Sequence, residues 1–174
     1  MTDFRDVLLG LAETATGVAG FAGVAAAVML SRSFERDDQF RFLCLFGSAL
    51  SVVFLAYTPI LLELSGLSGN QLWVWSSGVF IAVVAGALPL AIFTARLAVR
   101  QSNMAPRWAL GPLWFFTLGA PITQVMNLLG WVGGPDSVLF IVGLLSWLGA
   151  AGVLFVIIVL VRRDMREPEE GQAD

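Results

Sequence analysis

Long apolar stretches alternate along this chain with short polar connections. Five stretches carry almost no charge, and they cover residues 7–30, 42–64, 72–97, 108–132 and 138–161. Each is longer than the roughly 20 residues that an α-helix needs to cross a hydrocarbon core of about 30 Å. The pattern therefore predicts an all-α protein: one domain, residues 1–163, that forms an integral membrane bundle of five transmembrane helices.

The composition supports a bilayer rather than water as the surrounding medium. Hydrophobic residues make up 57% of the 174 residues and charged residues 13%, whereas a soluble domain carries roughly 25% charged residues. A domain of about 150 residues still exposes nearly a third of its unfolded surface. Its own core could not cover so much apolar surface, so we expect the lipid bilayer to cover it.

The arginines predict the orientation of the helices. All ten basic residues are arginine, and nine lie near the connections between the first and second and the third and fourth helices, or after the fifth. Because short basic connections stay on the cytoplasmic side, we expect an outside N-terminus and a cytoplasmic C-terminus in the cell's inner (plasma) membrane. Residues 164–174 are charged and contain Pro168, which predicts a disordered acidic tail.

The first basic connection holds Arg32, Arg36 and Arg41 together with three acidic residues. A solvated loop with internal ion pairs is the favoured interpretation. Binding of anionic lipid headgroups by the three arginines is the alternative.

Polar side chains gather in the predicted outer half of the membrane. The candidates for binding an ion or ligand are Glu13, Thr16, Tyr57, Thr58, Glu63, Gln124 and Asn127. Glu13 shares a helical face with Thr16, and we expect this face to point into the bundle. A carboxylate there is costly unless it is protonated or hydrogen-bonded, and Gln124 or Asn127 could satisfy it. The hypothesis is a polar site for a cation, a proton or a small solute; the alternative is a structural clasp between the first and fourth helices.

Small residues recur at four-residue spacing in the first helix, at Ala15, Ala19, Gly23 and Ala27. Such a stripe lets helix backbones approach closely within a membrane. Packing within the chain is the favoured interpretation, and a homo-oligomer interface is the alternative.

Several kinds of chemistry are excluded by residue types that are missing. The chain has no lysine and no histidine, and Cys44 is its only cysteine. Lysine Schiff bases, histidine-ligated haem and zinc held by the usual ligands are therefore excluded. No phosphate-binding loop, dinucleotide fingerprint or nucleophile–base pair is visible, so we expect neither an enzyme nor a cofactor. The net charge of −3 does not indicate nucleic-acid binding.

Three short strings carry a family resemblance. They are Leu-Ala-Glu-Thr-Ala-Thr-Gly-Val-Ala-Gly-Phe-Ala-Gly at 11–23, Asp-Gln-Phe-Arg at 38–41 and Trp-Ser-Ser at 75–77. Over about its first 100 residues the chain resembles small bacterial multi-pass inner-membrane proteins of uncharacterised activity. The resemblance implies a bacterial inner membrane and transfers no site residue.

Two functions remain open on the sequence. The first is a small oligomeric channel or transporter for an ion or polar solute that uses the site around Glu13. The alternative is a non-catalytic membrane accessory, sensor or lipid-binding scaffold protein.

Overall fold

The computed structural model describes the backbone of residues 4–30, 36–101, 107–133 and 136–164, and the side chains of 4–27, 42–87, 111–133 and 136–157. Every regular element in these ranges is an α-helix. The five helices are α1 (Phe4–Leu30), α2 (Arg36–Leu64), α3 (Gly69–Gln101), α4 (Arg107–Leu129) and α5 (Ser137–Asp164). The predicted all-α fold with five helices is confirmed. Arg32, the side chains of Arg36 and Arg41, and residues 165–174 of the predicted tail lie outside the described residues.

Most helices extend beyond their apolar stretches. The second begins at Arg36 rather than at 42, and the third ends at Gln101 rather than at 97. Backbone hydrogen bonding defines a helix, and it can continue into a polar connection, whereas the apolar run reports only the segment that avoids water.

The fourth helix is shorter than predicted, ending at Leu129 rather than at 132. Gly130 adopts a φ of 65°, a left-handed conformation that glycine reaches without steric cost. The N–H of Gly130 donates to the Asn127 carbonyl and the N–H of Trp131 to the Met126 carbonyl, each at 3.2 Å. This is a Schellman motif, and it turns the chain towards α5.

Four helices contain described segments that are long and apolar enough to cross a membrane: Phe4–Ala27, Phe42–Leu64, Gly69–Ala87 and Ser137–Ile157. The described part of α4 is not among them, and Pro112, Pro121, Gln124 and Asn127 all lie within it. The helices are thus compatible with a multi-pass membrane protein. The orientation of the termini remains a prediction.

The core runs along the contacts between antiparallel helices, and α5 contacts each of the other four. The starts of α1, α3 and α5 and the ends of α2 and α4 lie together, and we call this the N-terminal end of the bundle. A chain of ring contacts runs inward from it, from Phe4 through Trp73 and Phe140 to Phe80, with centroid distances of 5.1, 5.9 and 6.0 Å. A smaller apolar cluster of Ala22, Phe42, Leu45 and Ala151 lies further along the bundle.

The outward surface is apolar. One side of α4 carries exposed residues at alternating intervals of three and four, namely Phe115, Leu118, Ile122, Val125 and Leu129. In each of the four spans, at most 39% of the most apolar 18-residue segment is buried inside the structure. A surface of this kind is suited to lipid contact.

Candidate functional site

The predicted site residues separate into two groups. Gln124 and Asn127 are fully buried, with no exposed surface. Glu13, Thr16 and Tyr57 are exposed, and Thr58 and Glu63 are partly buried. These residues therefore do not form the single polar site that the sequence led us to expect.

The buried group forms a hydrogen-bonded network, which we call the polar clasp, from Ser77, Gln124, Asn127 and Asp136. The Ser77 hydroxyl donates to Gln124 Oε1 at 2.8 Å and accepts from Asn127 Nδ2 at 3.0 Å. Gln124 Nε2 lies 3.3 Å from the carbonyl oxygens of both Leu139 and Phe140. One network thus connects α3, α4 and the first turn of α5.

Asp136 joins the clasp and also begins α5. Its backbone N–H donates to Asn127 Oδ1 at 2.8 Å, and its carbonyl accepts from Asn127 Nδ2 at 3.1 Å. Its carboxylate accepts from the N–H of Leu139 at 2.9 Å, which is N-cap geometry. The turn between α4 and α5 is thereby bonded to the interior of the bundle.

Glycines on α5 allow the clasp to form. A Cβ at Gly143 would meet Gln124 Nε2 directly and would lie 2.9 Å from Thr123 Oγ1. A Cβ at Gly149 would lie 2.8 Å from the ring of Phe116. Since both approaches require the absence of a side chain, α4 and α5 pack more closely than alanine would permit.

Sequence reasoning missed two members of the clasp. Ser77 lies in a polar pair near the start of α3, and Asp136 follows Gly-Gly-Pro directly before an apolar run. An aspartate in that position is a common helix N-cap, so Asp136 could have been found. Nothing in the sequence indicates that Ser77 faces Gln124.

The expectation that Glu13 points into the bundle is wrong. The buried face of α1 consists of Leu8, Leu11, Ala12, Ala15, Ala19 and Ala22, and it lies where α1 contacts α2 and α5. Glu13 is exposed and makes no hydrogen bond among the described residues, whereas Gln124 and Asn127 are fully buried and bonded to other partners. A clasp from Glu13 to Gln124 or Asn127 is therefore absent from the described part of the chain.

The predicted stripe of small residues is only partly buried. Ala15 and Ala19 are covered, as expected for packing within the chain, but Gly23 and Ala27 are exposed. Four residues turn an α-helix by slightly more than one revolution. A stripe at constant four-residue spacing therefore rotates away from the helix face on which it starts.

The remaining candidate residues do not contribute to the polar clasp. The Thr16 hydroxyl donates to the Ala12 carbonyl at 2.8 Å, and the Thr58 hydroxyl donates to the Phe54 carbonyl at 3.0 Å. Tyr57 is 43% exposed on α2. Glu63 accepts from Arg5 at 2.9 Å in an exposed ion pair, which joins the start of α1 to the end of α2.

Glu13 belongs to an outward seam of α1, which we call the α1 outer face: Gly10, Glu13, Gly17, Gly20 and Val24, all exposed. The Glu13 carboxylate has no hydrogen-bond partner among the described residues. A Cβ built at any of the three glycines would find no heavy atom within 4 Å. Packing within the chain therefore does not explain why glycine occupies these positions.

Comparison of the chain with models of known families, with curated proteins and with solved structures finds no significant match. The fold defines the class, a helical bundle compatible with a multi-pass membrane protein. The functional argument depends on its two polar features, the polar clasp and the α1 outer face.

Proposed function

We propose that this chain is a non-catalytic accessory protein of a cell membrane, and that its bundle presents the α1 outer face to a transmembrane helix of another molecule. The observation that carries the proposal is the position of Glu13: an ionisable side chain within an apolar span, exposed and flanked by glycines.

The polar clasp supports a structural role for Gln124 and Asn127. Both carboxamides use their oxygen and nitrogen in bonds to Ser77, to Asp136 or to backbone groups of α5. Neither side chain is exposed. A channel or transporter would need polar groups that a solute can reach, so these two residues no longer support that hypothesis.

The spacing of the α1 outer face supports helix binding. Its five residues follow one another at intervals of three, four, three and four, the spacing of a seam between two packed helices. The outward side of α4 repeats these intervals with large residues, from Phe115 to Leu129. Small residues let two backbones approach, whereas large apolar ones suit lipid chains.

The cost of an exposed carboxylate supports a covering partner. An acidic side chain at the centre of a membrane helix costs about 2.5–3.5 kcal/mol on insertion scales, and less towards the interface. Thr14 and Thr16 do not share this need, because their hydroxyls donate to the Gly10 and Ala12 carbonyls of their own helix. A partner helix that covers Glu13 would offset the cost.

Site-specific photo-crosslinking in the cell membrane tests the proposal. A photoreactive residue replaces Val24, which is 65% exposed on the α1 outer face, or Ile122, which is 55% exposed on α4. We expect a discrete protein adduct from position 24 and only lipid adducts from position 122. Gly17→Leu should abolish the adduct at 24 without unfolding the chain, since a Cβ at Gly17 has open space. Lipid adducts alone at both positions would refute the proposal.

A further inference from the structure

Resting on the proposed function, we infer that the partner of the α1 outer face is a transmembrane helix of a different protein, with an arginine or lysine at the level of Glu13. An ion pair would then form inside the membrane, between Glu13 and the basic side chain of the partner.

The level of Glu13 favours a pair within the apolar layer. Glu13 follows Arg5 by eight residues, which is about 12 Å along the helix axis at 1.5 Å per residue. The exposed Arg5–Glu63 pair marks the N-terminal end of the bundle, where α1 begins and α2 ends, and Glu13 lies well inside the apolar span Phe4–Ala27. Ionisable residues at such positions usually pair with one another or face a polar cavity.

No side chain within 4–27, 42–87, 111–133 or 136–157 supplies the cation. Arg5 is the only basic residue among the described side chains, and it is bonded to Glu63. The remaining arginines lie at the opposite end of the bundle by sequence, or in the tail. The acidic charge on the α1 outer face is therefore complemented from outside the chain.

A second copy of this chain is a poor match for the same reason. The arginine distribution predicts one orientation for every copy of this chain, so two α1 outer faces would meet in parallel with their Glu13 side chains at one depth. Like charges across a contact are unfavourable. A helix with a basic residue provides the opposite charge at that depth.

The glycines suit an arginine or lysine partner in particular. Gly10 and Gly17 lie about one turn before and after Glu13 and have open space above them, so neither of these two positions shields the carboxylate. The backbone of the partner can approach across Gly17 and Gly20, which lets a long basic side chain lie along α1 and reach Glu13.

Synthetic helices in phosphatidylcholine vesicles test the inference directly. One probe is a single-span helix of leucine and alanine with one arginine at the depth of Glu13, and the matched probe has leucine there. Energy transfer between the labelled probe and the full-length protein reports binding. We expect Glu13→Gln to weaken binding of the arginine probe about three- to tenfold and to leave the leucine probe unchanged.

The outcomes separate this inference from the proposed function. The inference would be overturned if both probes bound equally, or if Glu13→Gln left binding of the arginine probe unchanged. In either case, a crosslinked protein adduct at Val24 that depends on Gly17 would still support the proposed function. Energy transfer between two labelled copies of the protein that is lost in Gly17→Leu would identify a second copy as the occupant, and would also overturn the inference. Absence of a protein adduct at Val24 in the chain that keeps Gly17 would refute the proposed function itself.

Discussion

The carboxamide of Asn127 pairs with both backbone groups of Asp136, accepting from its N–H at 2.8 Å and donating to its carbonyl at 3.1 Å. The carboxamide thus makes the same two hydrogen bonds that a peptide group of a paired β-strand would make. It lies two residues before the last residue of α4, and Asp136 lies directly before α5. The two backbone groups of Asp136 are therefore bonded to a side chain of the bundle and do not need water as a partner.

Replacing Asn127 with leucine keeps the number and branching of the side-chain heavy atoms and removes the hydrogen bonds. Two backbone groups of Asp136 and the Ser77 hydroxyl then lose a partner in a buried region. We expect the free energy of unfolding to fall by about 1–3 kcal/mol. Steric trapping in lipid bicelles measures this change.

The control for Asn127→Leu is Thr58→Val, which removes a hydroxyl bonded only to a carbonyl of its own helix. We expect a change within about 0.5 kcal/mol for this variant. Equal effects of the two substitutions would show that the clasp contributes no stability of its own.

Ser76 and Ser77 form a matched pair for testing the contact between helices. Both are fully buried, but Ser76 donates to the Leu72 carbonyl of its own helix, whereas Ser77 bonds to Gln124 and Asn127 of α4. We expect Ser77→Ala to cost about 0.6–1.7 kcal/mol more than Ser76→Ala, the range for hydrogen bonds between membrane helices. A smaller effect at 77 than at 76, measured by the same unfolding assay, would contradict the network.

The close approach of α4 and α5 depends on Gly143. In Gly143→Ala the new methyl group occupies the position of Gln124 Nε2, so the side chain must leave its bonds to the Leu139 and Phe140 carbonyls or the helices must separate. We expect a loss of about 1–3 kcal/mol, as for other overpacked sites. Gly152→Ala on the same helix meets no atom within 4 Å and should be neutral in thermal unfolding.

The helices were predictable because a long uncharged run in this chain has few alternatives to a membrane helix. Their ends were not, because they depend on local backbone geometry. Gly130 ends α4 three residues before the apolar run ends, and polar residues from Arg36 onwards continue α2 outside the run. The length of the apolar run indicates which segment avoids water, whereas backbone hydrogen bonding determines where the helix begins and ends.

The rotation of α1 about its axis could not be read from the sequence. Small residues cover both sides of this helix, with alanines towards α2 and α5 and glycines outward. Either side could have packed against the bundle. The side that carries Glu13 would be favoured only if the bundle offered a polar partner for the carboxylate. The polar residues of α4 are instead bonded to Ser77 and Asp136, so burying Glu13 would have left it without a partner.

The Arg5–Glu63 pair connects α1 and α2 at the end of the bundle, with side chains 49% and 31% exposed. Because ion pairs in contact with water are screened and lose side-chain entropy, we expect a coupling energy below about 1 kcal/mol. A double-mutant cycle with Arg5→Ala and Glu63→Ala measures the coupling, and added salt should reduce it further. A coupling above about 2 kcal/mol that resists salt would place the pair in a water-excluded contact, contrary to the exposure of its side chains.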